Sequence, residues 1–390
     1  MIIVASIFKT ETGWMGQFNR GSIRKSFRGK TKKEVEGKIK AFEEELDKFG
    51  SAIKKSKVFL SEWVENYMTT YVHGTIAEST YANYKSLQVN YINSSILADM
   101  LLLDIRQLHI KEFFNKLTHL SLTVQTKIKS ILNGAFKTAI ENRLLNVNPC
   151  TGIKLQSEQE EKKVRPMSLE EQQRYIAALD GEKNRLALLL ALFTGLRLGE
   201  LIALKWENVD LDNKILTVNE SLKRTKVYKK DGTVEKQNIT KGPKTKRGIR
   251  DVSMPTFLVE ELKQIQPKDN KGYVFRGASE KHLNADSLRK CHLKICTRAK
   301  IGEPKEVVYN RKDRKNGVWI RIEYQDVNFH ALRHTFATRL FEAGENVKTV
   351  SDLLGHKDIS TTYNIYVDVL KETKQSAADK LDSLMTKMHQ

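Results

Sequence analysis

Cysteine is nearly absent: Cys150, Cys291 and Cys296 are the only three in 390 residues. So small and odd a number excludes a disulfide framework and fits reduced thiols in a cytoplasm. Cys291, His292 and Cys296 lie close together, but half a metal-ligand set is missing. They read as buried groups on a helix, and no metal is expected. Long apolar runs are also absent. The longest, Leu186 to Phe193, stops at Thr194-Gly195, a length that suits a buried helix and not a membrane span. The start, Met1 to Phe8, is apolar but has neither a positive n-region nor a small-residue cleavage site, so it reads as a strand and not a signal peptide. No internal repeat or low-complexity tract is present. The chain is poor in acid: 47 Asp and Glu stand against 67 Lys and Arg, a formal net charge of +20. Such an excess favours a polyanionic partner, nucleic acid before an anionic membrane surface. Hydrophobic content of 40% and charged content of 29% are otherwise ordinary for a globular protein. The length calls for two or three domains, each able to bury a core.

The pattern divides the chain into five parts. In residues 1–55, Ile2–Phe8, Trp14–Asn19 and Ile23–Arg28 have strand character, punctuated by Gly13, Gly21 and Gly29. Thr31 opens a helix to about Lys48, apolar along Val35, Ile39, Phe42 and Leu46. Nine Lys or Arg and two Glu stand between Arg20 and Lys40. Arg20, Arg24, Lys25, Arg28, Lys30, Lys32 and Lys33 are candidates for DNA contact from a sheet face; a solvated basic surface is the plainer alternative. Residues 58–155 are helical, with Leu60–Tyr67, Ala77–Ile92, Ile105–Leu117 and Leu122–Glu141 apolar at three- and four-residue spacing. Trp63, Tyr67, Tyr81, Tyr84 and Tyr91 read as core, not as base-stacking platforms. Residues 156–166 are polar, aperiodic and charge-rich, an extended linker. Residues 167–370 open on Ser168 with Glu171 three positions on, a capping box. Helices are expected at Ser168–Leu179, Lys183–Thr194, Leu198–Leu204, Ala285–Ala299, His330–Ala343, Val347–Leu354 and Thr361–Val367. Strands are expected at Ile215–Val218, Thr225–Lys229 and Ile249–Ser253. Residues 371–390 form a polar tail. The fold class is multidomain and mainly α with small β elements: a three-stranded sheet plus helix, a helical domain and a mixed α/β domain.

Certain residues of 167–370 suit chemistry on a phosphodiester. Its transition state gathers charge on the non-bridging oxygens. A protein without a metal must meet that charge with fixed donors, and arginine's planar fork binds two oxygens at once. Arg197 lies between Gly195 and Gly199 where an apolar helix ends, and Arg333 shares a helical face with His330. The nucleophile must then be a side chain. Tyr366 is the candidate, although Tyr363 is as good on composition alone. Arg197 and Arg333 as neighbours would favour its phenolate, and His330 could take its proton. The poor leaving group, a deoxyribose 5′-oxygen, needs a general acid. Lys244, in Lys241-Gly-Pro-Lys-Thr-Lys-Arg247, lies on a hairpin that could reach it, with Lys246 as the substitute; Lys246 and Arg247 are also candidates for DNA contact. His356 follows Leu354-Gly355, a helix stop, and could donate to a phosphate oxygen.

In order, Thr194-Gly-Leu-Arg-Leu-Gly-Glu200, Pro243-Lys-Thr-Lys246, His330-Ala-Leu-Arg-His-Thr-Phe-Ala-Thr338 and Leu354-Gly-His-Lys-Asp-Ile-Ser-Thr-Thr362 ending at Tyr366 resemble the tyrosine recombinase (phage integrase) family. The ten-residue step from His356 selects Tyr366 over Tyr363. The likeness makes residues 58–155 a core-type DNA-binding domain and residues 167–370 the catalytic domain. It makes residues 1–55 an arm-type DNA-binding domain, as in integrases of conjugative transposons and Gram-positive phages. It implies attack by Tyr366, a 3′-phosphotyrosyl link, a phosphate clamp of Arg197, Arg333, His330 and His356, and Lys244 as proton donor. No cofactor is implied. The implied partners are double-stranded DNA at core and arm sites, a homotetramer working through a Holliday junction, a small excision factor and a host DNA-bending protein. The implied setting is the bacterial cytoplasm, with no membrane. Glu200 is expected to buttress the site. Asp368 stands where many members carry histidine, outside the clamp. A type IB topoisomerase-like enzyme, a dimer-resolving recombinase and a non-catalytic regulator are the rival readings. The basic N-terminal unit disfavours the first two, and the ordered residue set disfavours the third.

Overall fold

The computed structural model describes residues 4–20, 23–49, 58–159, 164–229, 233–242, 249–277, 281–310, 318–367 and 369–370; Lys244, Lys246, Arg247 and the 371–390 tail lie outside them. Two compact units emerge, residues 1–161 with 227–233, and residues 162–226 with 234–390.

In the first unit, β1 (Val4–Thr10), β2 (Gly13–Arg20) and β3 (Ile23–Gly29) form an antiparallel sheet in that order, and α1 (Lys32–Phe49) packs on it. Phe18, Val35, Ile39 and Phe42 make the core between sheet and helix, with Ile7, Trp14 and Phe27 against it. Side chains alternate across a strand, so this core fixes which face every other residue takes. Phe18 pairs with Lys25, and Lys25 lies on the helix side, its ammonium 4.1 Å from the Phe42 ring centroid. Arg24 and Arg28 take the opposite, open face, across from Asn19 and Met15. The pleat thus separates Lys25 from the two arginines beside it in sequence.

The helical part follows its periodicity. It contains α2 (Leu60–Asn66), α3 (Glu78–Leu87), α4 (Gln107–Asn115) and α5 (Leu122–Glu141). Helices α2 and α3 run on as π-helical turns over Tyr67–Val72 and Gln88–Ile92. Trp63 and Tyr81 are buried in the core, with Tyr67, Tyr84 and Tyr91 packed against it. The Trp63 indole N–H donates to the Ala135 carbonyl at 2.7 Å. The start of the 156–166 segment is strapped down: the Gln125 amide donates to the Gln156 carbonyl at 2.7 Å, and the Glu158 N–H to the Thr118 carbonyl at 2.9 Å.

The second unit opens with α6 (Leu169–Ala178), whose capping box forms as the sequence predicts: the Glu171 N–H donates to Ser168 Oγ at 3.1 Å, and the Ser168 N–H to Glu171 Oε2 at 3.0 Å. Helix α7 (Arg185–Thr194) is apolar on all sides and buried accordingly. It packs against three other helices: α8 (Leu198–Ala203), then α9 (Thr256–Ile265) and α11 farther along the chain. Strands β4 (Val209–Asp210), β5 (Ile215–Val218) and β8 (Arg250–Ser253) form one sheet, and β6 (Ser221–Tyr228) pairs with β7 (Val234–Lys241). After α10 (Ala285–Arg298) come a paired β9 (Glu303–Asn310) and β10 (Val318–Gln325). Then follow α11 (Phe329–Glu342), α12 (Val347–Leu354) and a helix over 359–367. Elements β4, β7, α9, β9 and β10 go beyond those expected from sequence. The signal for one of them is nonetheless there: Val318, Ile320 and Ile322 recur at period two.

The Cys291–Cys296 region is packing. His292 is 2% exposed; its Nε2 meets the Val327 carbonyl at 2.9 Å and its Nδ1 the Tyr175 hydroxyl at 2.8 Å. Burial pulls its pKa down to about 4. Among the described residues, no group of three or more His, Cys, Asp or Glu could hold a metal, and no helix is long and apolar enough to cross a membrane.

Candidate active site

Three helix ends in the second unit meet at one place. The end of α7 is Gly195, left-handed at φ 64°. A side chain there would be strained, and its Cβ would fall 2.5 Å from the Phe336 ring. Two residues on, Arg197 caps α8 with extended backbone. Its N–H donates to Glu200 Oε2 at 2.9 Å and its guanidinium to Glu200 Oε1 at 2.8 Å, which turns the head toward the gap between helices. From α11 come His330, at the first turn behind the Asn328 cap, and Arg333, which is 2% exposed. The Arg333 guanidinium donates to the Gly195 carbonyl at 2.8 Å and to the Leu354 carbonyl. The end of α12 supplies the third part. Gly355 stops it at φ 62°, and His356 follows, its Nδ1 2.7 Å from the buried Thr362 hydroxyl. The Gly355 carbonyl accepts from Arg197 at 3.3 Å. One more arginine joins from β8. Arg250, 8% exposed, holds Glu200 fork on fork at 2.7 and 3.2 Å and donates through Nε to the Leu353 carbonyl at 2.7 Å.

The electrostatics follow from that arrangement. Three guanidiniums and two histidines surround one carboxylate. Burial alone would raise the Glu200 carboxyl; the Arg250 hydrogen bonds and the charges of Arg250 and Arg197 outweigh it and hold the pKa at about 2. His330 is pulled down to about 4 by desolvation, then by His334, Arg333 and Arg197. His356 falls to about 3 by burial, then by Arg333 and Arg197. Both rings are therefore neutral at pH 7. A cluster that drives protons off its histidines and carries more cations than anions is built for an incoming anion. Arg197, 39% exposed, opens onto a groove of about 510 Å³ walled by Lys223, Arg224, Lys226, Lys236 and Arg289. Among the described residues lining it the one acid is Asp286, paired to Arg289 at 2.7 Å.

Of the candidates from sequence, Arg197, His330, Arg333 and His356 are brought together. Tyr366 is placed otherwise. Its contacts are Phe341, at 5.2 Å between ring centroids, and Tyr363, at 6.2 Å, within the apolar cluster of α11, α12 and the 359–367 helix. Among the described residues no hydrogen bond joins it to the arginines. Sequence reasoning missed Arg250, which no motif or spacing distinguishes, and Thr362, which lies inside a quoted motif without a role assigned to it.

Residues 166–373, more than half the chain, match the phage integrase family, and residues 59–118 match the phage integrase N-terminal SAM-like domain. The chain belongs to the phage integrase family. It is a tyrosine recombinase, an enzyme of site-specific DNA recombination. A protein of Caldanaerobacter subterraneus named tyrosine recombinase XerC-like is 32% identical over 384 residues, covering 93% of this chain and 92% of that one. The part of this chain left uncovered is shorter than 55 residues, so the likeness reaches into residues 1–55. The ICEBs1 integrase of Bacillus subtilis is 26% identical over 315 residues, 78% of each chain. Among solved structures, the Tn1549 transposon integrase in complex with transposon right end DNA matches with TM-score 0.60 at 20% identity, covering 82% of this chain and 100% of that one. A lambda integrase tetramer bound to a Holliday junction matches with TM-score 0.56 at 19% identity, over 92% and 94%. These two support the fold.

Proposed function

We propose that this recombinase integrates and excises a mobile element by cutting and rejoining DNA through Tyr366. The phenol oxygen attacks the scissile phosphorus, forming a 3′-phosphotyrosyl bond and breaking the bond to the 5′-oxygen, which leaves protonated as a 5′-hydroxyl. Arg197 and Arg333 hold the non-bridging oxygens. His330, neutral at pH 7, takes the phenol proton. His356, with Nδ1 accepting from Thr362, donates from Nε2 to the phosphate. Lys244 protonates the leaving oxygen. The 5′-hydroxyl of a partner strand reverses the step, so bond energy is kept and neither ATP nor metal is consumed. Two such exchanges, through a Holliday junction in a tetramer, recombine two sites.

The observation that carries this reading is the convergence of Arg197, Arg333, His330 and His356, on three separate helix ends, around an anion-sized need. Because Tyr366 rests against Phe341, we assign its approach to the clamp to DNA binding. The open face of the β1–β3 sheet, with Arg24 and Arg28, takes an arm site, and the remainder of the chain a core site; linkage raises the local concentration for the second event. A relaxing or dimer-resolving enzyme needs no such second site. A small excision factor and a host DNA-bending protein set direction, and the work takes place in the bacterial cytoplasm. The test is a nicked duplex copied from the end of the element that carries the gene, incubated with wild type and Tyr366→Phe. Covalent attachment in wild type alone supports the reading. Attachment persisting in the variant moves the nucleophile to Tyr363, and binding without attachment by either protein overturns the chemistry.

A further inference from the structure

Arginine Arg250 is not aimed at the gap where a phosphate would sit. It is buried, and among the described residues its three hydrogen bonds go to two partners, two to Glu200 and one to the Leu353 carbonyl. What it holds are the supports of the clamp. Glu200 receives both the backbone N–H and the guanidinium of Arg197. The Leu353 carbonyl belongs to a run of three at the end of α12. Leu353 accepts from Arg250, Leu354 from Arg333 and Gly355 from Arg197. The last carbonyls of a helix lack intrahelical partners and sit at the negative end of its dipole, so guanidiniums are natural partners for them. Arg250 reaches both supports from behind the gap, tying β8 to the α8 cap and to the turn from which His356 emerges. Gly355 makes room for it: a Cβ there would stand 3.0 Å from Arg250 Cδ and 3.0 Å from its Nη1.

We propose that Arg250 is a positioning residue of the recombination reaction, fixing Glu200 and through it the Arg197 head, and fixing the α12 terminus and through it His356. The inference rests on the proposed phosphate chemistry. Misplacing a clamp group by about 1 Å can cost about 10²-fold in rate, while Arg250 itself touches no DNA, so affinity for the duplex stays as in wild type.

The decisive experiment must separate positioning from stability, because Arg250→Leu alone strands Glu200 as a buried charge. In the double variant Arg250→Met with Glu200→Gln no buried charge is left unpaired, and the amide oxygen at position 200 still accepts from the Arg197 N–H; Glu200→Gln alone is the control. Three quantities are measured on each protein: melting temperature, affinity for the nicked duplex, and single-turnover rate of covalent attachment. The expected result is a near-native melting temperature and affinity with attachment about 10²-fold slower. Attachment at the wild-type rate by a stable double variant overturns the proposal. Should the double variant not fold, Arg250→Lys serves: a lysine keeps the charge opposite Glu200 but cannot also reach the Leu353 carbonyl. It should fold and attach more slowly, and a wild-type rate from it overturns the proposal equally. Failure of the wild-type enzyme to attach at all would indict the phosphate chemistry instead.

Discussion

Replacing Arg333 with lysine keeps a positive charge in the site and removes the fork. In the structure that fork spans two carbonyls, those of Gly195 and Leu354, which close α7 and α12. Arg333 is 2% exposed, so water cannot substitute. A lysine ammonium reaches one carbonyl and leaves the other buried without a donor, a loss of about 1–3 kcal/mol. For a unit of this size each kcal/mol lowers the melting temperature by about 2–4 °C. The chemical loss is separate: one phosphate oxygen forfeits its donor, which slows attachment by about 10²–10³-fold. The assay pairs a thermal melt with single-turnover attachment to the nicked duplex at saturating protein. Two results would refute the reasoning. An unchanged melting temperature would mean the carbonyls do not depend on the fork. A lowered melting temperature with a wild-type rate would make Arg333 a structural strut and nothing more.

Tyr366→Phe should abolish covalent attachment while leaving duplex affinity intact, and Tyr363→Phe should leave attachment in place; gel shift and denaturing gel together distinguish them. On the N-terminal sheet, Arg24→Ala with Arg28→Ala should flatten the salt dependence of binding to the element's end by about 2 in log–log slope, at about 0.9 per phosphate contact. Lys25→Ala, whose partner is the Phe42 ring, should leave that slope alone and lower the melting temperature instead; equal slopes for all three would contradict the face assignment. His292 makes a prediction about acid. Its folded pKa of about 4 lies below the ordinary 6.5, so its contribution to stability is complete above pH 6.5 and is lost as pH falls toward 4, about 3 kcal/mol in all. Urea midpoints at pH 7.5 and 4.5 should therefore converge partly in His292→Gln, which cannot take up that proton. An unchanged pH slope in the variant would rule this out.

Much of the fold and of the clamp is legible in the sequence alone. Period-two and period-3.6 patterns place β2, β3, α5 and α12 almost to the residue, and β1 to within two, because each buries one face of a regular element. The Ser168 capping box is a local chemical fact and is readable as such. Arg197, His330 and His356 are legible because each sits where a helix must start or stop, beside Gly195, Asn328 or Gly355, and Arg333 because it follows His330 by three. Three things are not. Basicity carries no information on pleat, so Lys25 cannot be told from Arg24 by charge. Arg250 acquires its meaning only through Glu200 and Leu353, 50 and 103 residues away in sequence. The resting place of Tyr366 depends on Phe341, a contact between two helices that periodicity leaves open. Local pattern determines elements and their ends; partnerships at long sequence separation require the fold.

On the proposed reading, the position of α12 explains why phosphate binding and the nucleophile share one short stretch. The carbonyls of Leu353, Leu354 and the capping Gly355 hold Arg250, Arg333 and Arg197, so the proposed phosphate clamp hangs from one helix terminus. The residue after that terminus is His356, and the helix that begins at 359 carries both Thr362, which sets the His356 ring, and Tyr366. The arginines are fixed by helix ends, whose carbonyls cannot move without unwinding a turn. Among the described residues the tyrosine is held by apolar contact with Phe341, Tyr363 and their neighbours, which is non-directional and tolerates sliding. Rigid donors and a weakly tethered nucleophile make a particular division of labour. On the proposed chemistry, a clamp formed before DNA arrives would lose little on reorganisation, and the nucleophile would be withheld until a phosphate occupies it. A variant that stiffened the Tyr366 seat without touching the arginines, such as Tyr363→Trp at the exposed ring beside it, should bind the nicked duplex normally and attach slowly. Normal attachment by such a variant would show instead that Tyr366 needs no release.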